Sequence, residues 1–201
     1  MTTAADTPDP SEGSSAFQDL TGTLLIAMPG LGDPRFDKSV VYLCAHADDG
    51  AMGLIINKPT SDITVRKLLE QLDIPLEADV RGQRVHFGGP VEQGRGFVLH
   101  SPDYTPGTAT MTIDDSFCMT ATVDILKGIA AGQGPSQRLV ALGYAGWSPG
   151  QLETEIGNNS WLTCPATPDL VFGTPDQDKW QAAMTALGIS PLLLSEEAGH
   201  A

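Results

Sequence analysis

The chain has 201 residues, 41% of them hydrophobic and 18% charged, and a net charge of −14. That length suits one domain or a tightly joined pair, able to bury roughly 70% of its unfolded surface without disulfides or metals. The acid excess disfavours duplex binding, which draws on Lys and Arg, and no apolar run approaches the roughly 18 residues that cross a bilayer.

Residues 1–18 are rich in Asp, Pro, Ser, Gly and Thr, with one aromatic (Phe17) and no Lys or Arg. Such a segment cannot offset chain entropy, so a disordered acidic tail is expected, followed by one domain over 19–201. It has neither the basic start nor the apolar stretch of a secretory signal, and the expected location is the cytoplasm. Four apolar blocks that stop at glycine, proline or a turn then mark strands, at 24–29, 50–59, 95–102 and 139–147. With the weaker runs, strands are expected near 22–28, 39–46, 52–57, 84–87, 96–100, 110–113, 138–144 and 161–164. Asp48-Asp49-Gly50 makes a hairpin turn between the second and third.

Helices are signalled in two ways. Val65, Leu68, Leu69 and Leu72 share one face before Pro75, and Val123, Leu126, Ile129 and Ala130 share another before Gly132. Ser148-Pro149-Gly150-Gln151 and Thr174-Pro175-Asp176-Gln177 each place a hydroxyl cap, an early proline and a glutamine able to reach back. The first opens a helix carrying Leu152 and Ile156 to Gly157, the second one carrying Trp180, Ala183, Met184 and Leu187 to Gly188. Strands and helices do not alternate strictly, which predicts an α+β fold with a mixed, mostly antiparallel sheet and about four flanking helices.

Chemistry-bearing motifs are sparse. Cys44, Cys118 and Cys164 are too widely spaced for a disulfide framework or a Cys-x-x-Cys site and read as buried thiols. No nucleophile elbow or Ser-x-x-Lys occurs. The turns at Gly30-Leu31-Gly32, Gly88-Gly89-Pro90 and Gly132-Gln133-Gly134 lack the further residues of a phosphate-binding loop. Nothing calls for a metal or a cofactor. Arg66, Lys67, Arg81 and Arg84 are interleaved with Glu70, Asp73, Glu77 and Asp79, as on a solvated, salt-bridged face.

His46 and His100 end strands, where each is expected to cap its strand by a backbone hydrogen bond; converging, they would make an acid/base pair. The most unusual polar cluster joins Asn57 and Lys58, Tyr144 and Trp147, and Asn159, Ser160 and Trp161. Apolar walls with a few oriented donors are the mix that lines small-ligand pockets, and Lys58 would face an anion there. The competing account is turn chemistry, since Asn tolerates left-handed backbone.

Seven ordered segments resemble the AlgH/YqgE family of small bacterial proteins. They are 20–29, 36–44, 50–59 ending Asn57-Lys58-Pro59, 87–91, 95–100, Gly143-Tyr144-Ala145-Gly146-Trp147 with Gln151-Leu152-Glu153, and Asn159-Ser160-Trp161-Leu162-Thr163. The closing Ala198-Gly199-His200-Ala201 adds to the match, while Ala45 and Ala121-Thr122-Val123 depart from the family's usual residues. The resemblance implies a sheet bent toward a partial barrel. It carries over no catalytic residue, and it links the family's naming member to transcriptional control. The expectation is therefore a non-catalytic regulatory or adaptor protein acting through a protein or small-molecule ligand. The alternatives are a direct DNA-binding transcription factor, or an enzyme using His46 or His100 with Lys58.

Overall fold

In a computed structural model, residues 18–190 are described. The acidic tail expected over 1–18 (save Gln18) and the closing 198–201 segment lie outside them. The chain runs β1 (Thr23–Ala27), β2 (Val40–Ala47), β3 (Gly50–Ile55), β4 (Pro59–Thr64), α1 (Val65–Gln71), β5 (Arg84–Phe87) and β6 (Val91–His100). It continues through β7 (Thr110–Thr112), β8 (Cys118–Thr120), α2 (Val123–Ala130), β9 (Arg138–Trp147), α3 (Gln151–Gly157), β10 (Trp161–Pro165) and α4 (Asp176–Ala186). A 3₁₀ turn at Pro34–Phe36 and a π-helical turn at Asp169–Gly173 are added.

The ten strands form one curled sheet, a half-barrel: eight run in the order β10-β1-β2-β3-β9-β6-β8-β7, and β5, with β4 beside it, branches from β9. All pairings but one are antiparallel among the described residues. The exception is β5 beside β9, with Val85, His86 and Phe87 opposite Val140, Ala141 and Leu142. β9 is the branch point. β6 runs along one of its edges from His100↔Arg138 to Gly96↔Leu142, while the other edge is shared between β5 and, from Ala145 to Trp147, β3. Gly143, at φ +73°, marks the change of partner. Gly88 and Gly89 fold over the junction so closely that a Cβ on either would collide with the Gly143 or Tyr144 carbonyl. Glycine's missing side chain is what allows backbone to cross backbone here.

Both faces of the sheet are covered. Leu24, Ile26, Tyr42, Leu54, Phe97, Leu99 and Ala141 point inward onto the π-turn residues Leu170 and Val171 and onto Ala183 and Met184 of α4. Their neighbours Leu25, Val41, Leu43 and Ile55 point outward beneath Leu152 of α3. Val85, Val98 and Val140 pack under Val65 and Leu69 of α1 and Ile125 and Ile129 of α2. Double burial explains why the strands read as continuous apolar runs and not as alternation.

Several expectations are corrected. β4 was unforeseen because Pro59, Thr60, Ser61 and Asp62 lack an apolar signature, and β8 because it is three residues long. β6 starts at Val91, five residues early, across a bulge where Glu92 adopts φ +48°. The hydroxyl caps are not made. Gly150 at φ +72° occupies the cap position of α3, although Gln151 Oε1 does accept from the Ser148 amide at 3.0 Å. Pro175 caps α4, and the Thr174 hydroxyl donates instead to the Asp169 carbonyl at 3.2 Å. Side-chain caps form instead at Thr64 of α1, which accepts from the Lys67 amide, and at Asp33 of the 3₁₀ turn, which accepts from the Arg35 amide. Arg66 pairs with Glu70 and Arg81 with Asp79, and all three cysteines are buried thiols.

Candidate functional site

The clearest built pocket opens where β9 runs into α3 and β10 begins. Ten residues of β9 carry the chain to Trp147, and the left-handed Gly150 then turns it into α3. On that helix Leu152 is buried, and Gln151 and Glu155, one turn apart, face the same cleft. Ser160 and Trp161 enter from the start of β10, Pro90 from the glycine junction, and Arg35 and Phe36 from the 3₁₀ turn. The cleft has a volume of about 360 Å³.

Its centre is the Glu155 carboxylate. Trp147 Nε1 and Trp161 Nε1 both donate to Oε2 at 2.8 Å, and Gln151 Nε2 donates to Oε1 at 2.8 Å. The two indoles stand edge to face at 5.9 Å and 78°, and Phe36 meets Trp161 at 5.6 Å and 84°. Three donors on one carboxylate fix both tryptophan rotamers, and edge-to-face packing adds roughly 0.5–1.5 kcal/mol per aromatic pair. The wall is thus rigid, aromatic and negatively charged. At the mouth the Arg35 guanidinium is held by Asp33 through Nε at 3.0 Å and Nη2 at 2.6 Å.

Of the residues singled out from sequence, Trp147, Ser160 and Trp161 meet in this cleft. Tyr144 lies on an adjoining concave surface of about 600 Å³ that Trp147 also lines, its ring 5.8 Å from Phe97 and close to Arg95, whose guanidinium sits 5.1 Å over Phe97. Asn57 and Lys58 support the cleft from outside it. Asn57 accepts from the Val40 amide and donates to the Lys38 carbonyl, and Lys58 Nζ donates to the Arg35 carbonyl at 2.8 Å. Burial lowers the Lys58 pKa, with Asp37 and Asp33 opposing it. Asn159 adopts φ +56° just beyond α3.

The two histidines occupy separate environments. His46 Nδ1 accepts from the Leu20 amide at 3.1 Å, which places the ring proton on Nε2, where it is donated to Glu153 Oε1 at 2.9 Å. His100 is fully buried. Its Nδ1 donates to the Ser101 carbonyl at 2.8 Å and its Nε2 accepts from Thr120 Oγ1 at 2.9 Å, Thr120 in turn bonding Thr110. Burial lowers the His100 pKa and favours the neutral ring. Each ring does bond the backbone.

Sequence reasoning missed Glu155, Gln151, Arg35 and Phe36. The signal available was a Gln and a Glu at i, i+4 on a helix flanked by two tryptophans. Among the described residues no three His, Cys, Asp or Glu side chains converge to hold a metal, and no helix is long and apolar enough to cross a membrane.

Comparison with known proteins is consistent throughout. The AlgH-like family model matches residues 24–192. The chain is similar to a UPF0301 protein of Ruegeria pomeroyi, 59% identical over 184 residues covering 91% of this chain and 100% of that protein. It is also similar to one from Methylobacterium sp. (strain 4-46), 53% identical over 203 residues and covering 98% and 96%. The solution structure of the AlgH protein from Pseudomonas aeruginosa superposes with a TM-score of 0.74 at 39% identity, covering 98% of this chain and 100% of that one. A Corynebacterium diphtheriae protein shares the fold at 21% identity and a TM-score of 0.64, covering 84% and 87%.

Proposed function

The chain belongs to the AlgH-like family, and from that premise we propose that it is a non-catalytic regulatory or adaptor protein of the cytoplasm that takes up a small ligand in the Trp147–Trp161 cleft. One observation carries this reading: both oxygens of the Glu155 carboxylate are engaged by Trp147, Trp161 and Gln151, so the cleft has a preset shape and its central carboxylate is committed to holding that shape. That is the organisation of a receptor. A catalyst would need a base within reach of substrate and an accessible acid. The enzyme alternative draws little support, because His100 is sealed in the core and Lys58 is turned to the Arg35 carbonyl.

The ligand class follows from the wall. Trp147 and Trp161 are only 7% and 2% exposed, so the cleft meets a small part of each ring; with a nearby carboxylate and a net charge of −14, that wall favours a small flat or cationic group, such as an ammonium. Ligand occupancy would be read by a partner protein at the adjoining Tyr144 surface, without direct duplex contact.

The test is titration of the purified protein with cationic and aromatic metabolites, followed by tryptophan fluorescence and by native mass spectrometry. A saturable fluorescence change that Glu155→Gln abolishes is expected. A ligand that is chemically converted, or tight capture of duplex DNA at physiological ionic strength, would overturn the proposal.

A further inference from the structure

A second cavity, of about 470 Å³, lies at the opposite end of β9, where β5, the entry to β9 and the start of α4 meet. Its electrostatics run against those of the whole molecule. Arg84, Arg138 and Lys179 line it, and Asp176 is the one acid among its lining residues. Lys179 takes up that acid: its Nζ, on a side chain 3% exposed, donates to Asp176 Oδ1 and to the Ile56 carbonyl, both at 2.8 Å. The two guanidinium groups are left with neutral partners. Arg138 donates to Gln83 Oε1 at 3.2 Å and to the Pro135 carbonyl at 2.8 Å, and Arg84 reaches the Thr60 carbonyl at 3.4 Å. Among the described residues no carboxylate lies within ion-pair reach of either.

Two further features converge here. With Thr174 turned to the Asp169 carbonyl, the first turn of α4 has no side-chain cap, and it opens on the cavity. An uncapped helix start favours an anion; of the two acids in the same turn, Asp178 works against this and Asp176 is offset by Lys179. In the wall, His86 is buried, and neither ring nitrogen makes an aligned hydrogen bond, although Nε2 lies 3.0 Å from Asp176 Oδ1. Nδ1 has no hydrogen-bond partner, and a buried polar atom left so calls for an explanation.

We propose that this cavity is a second ligand site, specific for a small phosphomonoester, with the phosphoryl group held between Arg84 and Arg138 at the start of α4. Guanidinium forks match phosphate oxygens in pairs, and the two arginines supply two positive charges that nothing in the described fold neutralises. The volume lies within the range of small-metabolite pockets and exceeds what phosphate alone would fill. His86 sits in the wall, its nitrogens sealed from solvent, as the group that a modest shift of Asp176 would offer to the ligand.

The site is independent of the tryptophan cleft, and the experiment separates them. The full chain is titrated with inorganic phosphate and with glycerol phosphate by heteronuclear NMR, following the amides of Thr174, Asp176 and Arg138. Saturable shifts at these positions are expected, with glycerol phosphate binding more tightly. Arg84→Gln, at an exposed side chain that the fold does not depend on, should weaken binding about tenfold, and Arg138→Gln at least as much. Trp161→Phe should leave it unchanged. No saturable shift up to about 10 mM of either probe, or equal affinity in Arg84→Gln, would overturn the assignment.

Discussion

Lys179 offers the sharpest test of the packing logic around α4. Replacing it by Met keeps the stem that crosses the core and deletes only Nζ, with its 2.8 Å bonds to the Ile56 carbonyl and Asp176. Orphaning the buried carbonyl costs about 1–3 kcal/mol. Breaking a buried ion pair costs about 3–5 kcal/mol when the remaining charge is sealed. The Asp176 side chain is 29% exposed, so water makes good part of that loss. The buried ammonium, whose pKa burial lowers, also no longer has to be desolvated. The net expectation is a loss of about 2–3 kcal/mol, or a melting temperature lower by roughly 5–10 °C for a chain of this size. Urea unfolding read by tryptophan fluorescence measures it. In an Asp176→Asn background the same substitution should cost at least about 1 kcal/mol less, because no carboxylate is stranded. A loss below about 0.5 kcal/mol, or equal costs in both backgrounds, would refute the reasoning.

Three other outcomes are expected. Burial works to raise the Asp176 pKa, but contacts with His86 and Lys179 outweigh it and hold it at about 2. A depressed carboxylate contributes stability above its unfolded value near 3.8 and loses it as pH falls through 2, so Asp176→Asn should flatten the acid limb of urea midpoint against pH by at most about 2 kcal/mol; an unchanged limb would contradict this. Gly89→Ala, at φ +154° against the Tyr144 carbonyl, should yield insoluble protein, whereas Gly30→Ala, at φ +89° with open space around its Cβ position, should cost about 1–2 kcal/mol, as thermal melts of the soluble fractions would show. Burial pushes the Cys44 thiol up to about 12, and Cys118 and Cys164 are buried too, so a disulfide reagent at neutral pH should label none of them before urea unfolds the chain; prompt labelling would show the core to be open.

What the sequence disclosed tracks how local each feature is. Strands β1, β2, β3 and β9 are legible because burial on both faces leaves unbroken apolar runs, and α1 and α2 because one face of each is buried. The early start of β6 was hidden because its bulged first half, Glu92-Gln93-Gly94-Arg95, is exposed and polar, and only the pairings of Val91 and Gly96 with β9 on either side of it tie it to the sheet. Trp147, Ser160 and Trp161 were recognisable as wall residues by type, but Glu155 was not, since nothing in a helix of mixed polar residues says which carboxylate two distant indoles will choose. The second cavity was invisible for a related reason. Arg84, Arg138 and Lys179 lie on three elements far apart in the chain, and only the crossing of β5, β9 and α4 gathers them.

The double pairing of β9 has a mechanical consequence. Because β6 is laddered to one margin while β5 and β3 divide the other, sliding this strand by one position would rupture both branches and invert its side chains at once, so it is pinned like a shaft between two bearings. Arg138 stands at its first residue and Trp147 at its last, ten residues or about 30 Å of extended chain apart. The two openings are therefore held at a set separation.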